Sequence, residues 1–137
     1  MDQGDDEASL WPIYILVVED EPALRSLLSD ELQDAGFTVI EASNADEAWR
    51  YCVLDTDLDL VFTDIEMPGS MNGLALTRRL QEVNPFLPLI ITSGNLGDQS
   101  IDDLGPFLPK PYRLDEAVKL VFHILGVSRP ARFGLTQ

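Results

Sequence analysis

Apolar positions along this chain come in two alternating rhythms. Short continuous runs rich in β-branched residues, IYILVV (13–18), FTVIEA (37–42), LDLVFTD (58–64) and PLIITS (88–93), are too short for helices. They have the unbroken character of parallel strands buried on both faces. Between them the apolar residues recur at helical spacing. Leu24, Leu27, Leu28 and Leu32 follow Pro22, which suits a first helical turn, and Gly36 ends the pattern. Asn44 with Glu47 forms a capping box ahead of a helix carrying Ala48, Cys52 and Val53. A third helix, from about Asn72, presents Leu76, Leu80 and Val83 on one side, and a last one carries Leu114, Val118, Val121 and Leu125. Phe107 to Pro109 is a minimal fifth strand. The segment before it, GNLGDQSIDDLG (94–105), has three glycines and little periodicity, so it predicts at most a short or irregular helix. Strands alternating with helices through short connections indicate an α/β fold, a doubly wound parallel sheet covered on both faces.

The chain is 137 residues long, enough for one hydrophobic core and short for two, and 45% of it is apolar, too much for a disordered chain. Residues 1–11 read as an acidic flexible arm, 12–126 as the domain, and 127–137 as a tail. Twenty-four acids against nine bases give a net charge of −15. That charge opposes direct binding to nucleic-acid phosphates and to anionic membranes, since both depend on Lys and Arg. The single cysteine, Cys52, cannot close an intrachain disulfide and is expected as a buried structural thiol. With no signal peptide or apolar run of spanning length, the expected location is cytoplasmic.

In a doubly wound sheet, ligands sit beyond the C-terminal strand ends where the chain order reverses. Each apolar run here delivers polar groups to that edge. The first ends on Glu19 and Asp20, the third on Asp64, and the fourth on Thr92 and Ser93; Lys110 comes just before the last helix. A lone Asp at a strand end is ordinarily a turn former or helix N-cap. Acids gathered on adjacent strand ends repel one another unless a cation joins them, and oxygen ligands suit a hard ion such as Mg2+.

At these residues the sequence resembles the receiver domain of two-component response regulators, over about residues 12–126. VVEDE is similar to the family's paired-acid motif and DIEMPG to the motif around its phosphorylated aspartate. ITSG matches the hydroxyl and small residue, and LPKPY the Lys-Pro motif, with Pro111 as a candidate cis proline. The 44 positions from Asp20 to Asp64 fit as well. The resemblance implies a flavodoxin-like (βα)5 fold with sheet order 2-1-3-4-5 and a shortened or irregular fourth helix. It implies Asp64 as phospho-acceptor, with Mg2+ held by Glu19, Asp20, Asp64 and the backbone carbonyl of Glu66. Lys110 and the Ser93 hydroxyl would contact the phosphoryl group, and Phe107 would be an aromatic switch residue, although core packing alone also accounts for it, while Thr92 falls on the opposite side of the strand. The partners implied are a histidine kinase or histidine phosphotransfer protein and a downstream protein target.

Three departures from the family bear on the site. PGSMNG has one residue more than the usual Pro-x-Met-Asp-Gly pattern. Ser93 and Lys110 stand only 17 positions apart, fewer than is common in the family. Glu66, two residues after the acceptor, brings an extra carboxylate that either tunes attack by water or faces solvent. The expected function is a stand-alone phospho-accepting receiver, not a dedicated enzyme, signalling through phosphorylation-dependent protein contacts. Alternatives are a degenerate receiver acting as a binding module, and a small Mg2+-dependent aspartyl phosphohydrolase. The first would be favoured had Asp20, Asp64 or Lys110 been lost, and the second needs a proton donor and a cap segment that the sequence does not offer.

Overall fold

The computed structural model of the chain describes residues 11–54, 57–67, 72–94 and 103–128. Five strands and four helices lie in these segments: β1 Tyr14–Val18, α1 Pro22–Asp34, β2 Thr38–Ala42, α2 Ala45–Leu54, β3 Leu60–Asp64, α3 Gly73–Val83, β4 Leu89–Ser93, β5 Phe107–Pro109 and α4 Leu114–Leu125. All strands are parallel, in the order β2-β1-β3-β4-β5. The fold is thus the flavodoxin-like sheet expected from the sequence. The segment 94–105, expected to hold at most a short or irregular helix between β4 and β5, lies mostly outside the described residues, which omit 95–102.

Alternation along the strands sends successive residues to opposite faces. On one face Ile15, Val17, Phe62 and Ile90 meet Leu28 and Leu32 of α1 and Ala117, Val118 and Val121 of α4. On the other, Leu16, Val18, Val61 and Leu89 meet Ala45 and Ala48 of α2 and Leu76 and Leu80 of α3. A third, smaller cluster of Ile65, Ile91 and Leu104, with Leu74 against it, lies next to the strand ends. Trp11, the last residue of the expected arm, stacks on Phe37 with ring centroids 5.1 Å apart, and Val127, the first of the expected tail, packs against the same core. Residues 1–10 and 129–137 lie outside the described residues.

Several helical positions expected to be apolar contacts are instead exposed: Leu27, Val53 and Val83 face solvent, and Cys52 is only half-buried. Leu54 and Phe86 are more exposed still. Val53 and Leu54 close α2 and Val83 closes α3, so each stands on the last turn of its helix. The helix starts follow local chemistry. Asn44 Oδ1 accepts from Glu47 N at 2.8 Å, while Glu47 Oε1 reaches back to Ser43 N, one residue earlier than a standard capping box, at 2.7 Å. Asn72 caps α3 by accepting from Ala75 N at 2.9 Å.

Candidate functional site

The strand order reverses between β1 and β3, which pair with one another while their outer neighbours, β2 and β4, lie on either side. Glu19 follows β1 directly and Asp64 ends β3, so this reversal places the two acids side by side. Ser93 ends β4 and Lys110 follows β5, with Lys110 N bonded to Ser93 O at 3.0 Å. The chain has thus brought four strand ends to one edge.

Lys110 is the hub. Its Nζ lies 2.6 Å from Asp64 Oδ2 and 2.8 Å from Glu19 Oε1, and both carboxylates are almost wholly buried. Burial opposes the ammonium charge, but hydrogen bonds to Asp64 and Glu19 outweigh it and lift Lys110 above the usual lysine range. Burial likewise raises Glu19, only partly offset by its bonds to Lys110 and to Glu21 N, and the Asp64 charge raises it further. Tyr112, whose ring lies 5.8 Å from that of Phe62, is pushed up to about 12 by burial and the nearby Glu19 charge. The remaining oxygens are also held: Asp64 Oδ1 accepts from Glu66 N at 2.8 Å and Glu19 Oε2 from Glu21 N at 2.9 Å. Asp64 is therefore aimed by fixed donors on both of its oxygens.

Asp20 is exposed beside this pair, and one oxygen from each of Glu19, Asp20 and Asp64 lies within 4.8 Å of the others. Three carboxylates so grouped make an all-oxygen donor set of the kind a hard divalent cation takes. Pro111 follows a cis bond, as the Lys-Pro motif suggested. Thr92 is buried on the opposite side of β4 from Ser93, and its hydroxyl has no hydrogen-bond partner among the described residues. Phe107 is 36% exposed at the start of β5.

Two residues acquire parts that the sequence did not suggest. Arg25, on the first turn of α1, donates from Nη1 to the Glu19 carbonyl at 2.8 Å and pairs with Glu41 through Nε at 3.3 Å, bracing the end of β1. The available signal was a lone base in the first turn of a helix that follows three acids. The Glu66 carboxylate, though its residue is exposed, does more than meet solvent. It accepts from Ser93 Oγ at 2.5 Å and from Gly94 N at 3.0 Å. The hydroxyl expected to meet a phosphoryl group is thus bonded to Glu66.

The chain belongs to the response regulator receiver domain family, which matches residues 15–121. It is 36% identical over 121 residues to the DNA-binding transcriptional regulator NtrC of Azospirillum brasilense, covering 85% of this chain and 25% of that protein. Its fold is similar to that of a CheY-like receiver domain protein from Methanospirillum hungatei, with TM-score 0.77, 21% identity, and 84% and 94% of the two chains covered. It is also similar to response regulator protein TrrA of Thermotoga maritima in complex with Mg(2+)-BeF, with TM-score 0.74, 31% identity, and 82% and 98% covered. The chain spans about a quarter of the length of the curated relatives it matches.

Proposed function

We propose that Asp64 accepts a phosphoryl group from a phosphohistidine carried by a histidine kinase or histidine phosphotransfer protein. The observation that carries this reading is the Lys110 ammonium bridging Asp64 and Glu19 at the strand edge. An Asp64 carboxylate oxygen attacks phosphorus and forms the new O–P bond. The N–P bond breaks and the imidazole nitrogen leaves with its electron pair. Charge on the transferring group spreads over its outer oxygens and needs fixed cations and donors around it. Lys110 supplies one as a compact point charge, and the Ser93 hydroxyl another once it is free to turn.

The acid cluster suits Mg2+, with Glu19, Asp20 and Asp64 as side-chain ligands and the Glu66 carbonyl as the backbone one. When bound, the ion offsets repulsion between the acceptor carboxylate and the incoming phosphoryl oxygens. In this reading the protein is a switch rather than a dedicated enzyme. Its output is a phosphorylation-dependent protein contact, and its place is the cytoplasm; no helix among the described residues is long and apolar enough to cross a membrane. The DNA-binding role in the names of its relatives is not assigned to this chain, because a net charge of −15 opposes contact with phosphate backbones.

Incubation with Mg2+ and a small acyl phosphate, followed by intact mass measurement, tests the assignment. One added phosphoryl group is expected, lost on chelation of the metal and absent in Asp64→Asn. An equal yield in Asp64→Asn would sink it.

A further inference from the structure

The phospho-acceptor reading uses the backbone of Glu66 and leaves its side chain without a task. Yet that side chain bonds twice to the end of β4 and the residue after it. A single oxygen, Oε1, takes the Ser93 hydroxyl at 2.5 Å and the Gly94 amide at 3.0 Å, while the Glu66 amide holds Asp64 Oδ1 at 2.8 Å. One residue therefore grips the acceptor with its main chain and the neighbouring strand with its carboxylate. A serine hydroxyl has one proton to give, so it serves one acceptor at a time. An anionic oxygen bonded to both a hydroxyl and a backbone amide is also what a phosphoryl oxygen on Asp64 would require of the same two donors.

We propose that the Glu66 carboxylate is an internal latch that stands in for the phosphoryl oxygen in the unphosphorylated protein. It holds the Ser93 hydroxyl and Gly94 amide until phosphorylation of Asp64 expels it. Glu66 is exposed, so its side chain can turn out into water without disturbing the core. Hydrogen bonds to an ionised acceptor are stronger than neutral ones, and the incoming dianion must replace two of them while meeting a like charge. The latch thus slows phosphorylation and ties occupancy of Asp64 to the release of one particular side chain. This inference rests on Asp64 being the acceptor.

The test compares Glu66→Ala, Glu66→Gln, Ser93→Ala and the double variant Glu66→Ala/Ser93→Ala with the wild type. Without phosphodonor or metal, the Gly94 amide proton is expected to move upfield in Glu66→Ala and less so in Glu66→Gln, whose amide oxygen still accepts. With Mg2+ and a small acyl phosphate, Glu66→Ala should be phosphorylated about tenfold faster than wild type. That gain should largely vanish when Ser93→Ala is already present. An unmoved Gly94 amide overturns the latch. So does a rate gain of equal size with and without Ser93, because Glu66 would then act through its charge alone. If no variant and no wild-type protein gains mass, the acceptor reading falls first and the latch with it.

Discussion

Replacing Gly73 by alanine tests how tightly the position of Asp64 is set by the backbone behind it. Gly73 opens α3, and a Cβ built there falls 1.9 Å from the Asp64 carbonyl oxygen and 2.5 Å from Ile65 Cα. Cβ atoms essentially never approach backbone closer than 3.0 Å, and because the backbone fixes the Cβ, no rotamer can relieve the clash. The start of α3 and the end of β3 must therefore part by roughly 1 Å, enough to cost a reaction about 100-fold when it displaces a reacting group. Against this, alanine is the better helix former by about 1 kcal/mol in a helix interior, and by less at a first turn. Overpacking costs about 1–3 kcal/mol, so a net loss of stability is expected. A domain of ordinary stability, about 5–15 kcal/mol, stays folded after such a loss. Denaturant unfolding should show a lower midpoint, and the initial rate of phosphorylation measured on folded protein should drop far more than the folded fraction does. Gly94→Ala is the control for stability, since its added Cβ meets only Lys110 Cβ at 4.0 Å. A Gly73→Ala protein with an unchanged midpoint and rate would refute the reasoning.

Four further outcomes are expected. Lys110→Met leaves Glu19 and Asp64 buried without their common cation, so denaturant unfolding should show a loss of about 3 kcal/mol, and Mg2+ should restore much of it; equal stability would deny the ion pair any weight. Asn72→Ala removes the α3 cap and should cost about 1 kcal/mol by the same measurement. Leu76→Ala opens a cavity in the core beneath α2 and α3 and should cost about 2–5 kcal/mol. The raised Tyr112 phenol stays protonated in the fold at pH values where the unfolded chain ionises it. Stability should therefore fall from about pH 10 up to its folded value of about 12, and Tyr112→Phe should make that fall shallower. Lys110, raised by its carboxylate partners, contributes to the same alkaline loss, so the slope should not vanish.

Most of the scaffold was legible because its signals are local. Phe107–Pro109 is the fifth strand as read, and Asn72 is the residue that caps α3. Glu19, Asp64 and Lys110 were recoverable because a doubly wound sheet sends each strand's final residue to one edge. Periodicity did less well at helix ends: Val53 and Val83 continue the apolar stripe but stand on last turns exposed to solvent. Trp11 was hidden by the acidic residues before it, although its ring finds Phe37 just ahead of the neighbouring strand β2. The contact between Glu66 and Ser93 could not be read at all. It joins side chains 27 positions apart, from the loop after one strand to the end of the next, and depends on a rotamer rather than on a spacing.

Among the described residues, Ile65, Ile91 and Leu104 form a cluster separate from the two cores on the sheet faces. Ile65 directly follows Asp64, Ile91 lies two residues before Ser93, Leu104 leads toward β5, and Leu74 against them stands in the first turn of α3. A segment held to a domain through a cluster separate from its main cores can open at lower free energy than the whole domain. The backbone at Ile65 and at the end of β4 can therefore shift together while the two face cores keep their packing. Amide exchange should reveal two tiers, a slow one in β1 and β3 and a faster, shared one running through Ile65, Leu74 and Leu104. Enlarging the small core, as Leu104→Phe would attempt, trades responsiveness of the edge for rigidity without touching any polar residue of the site.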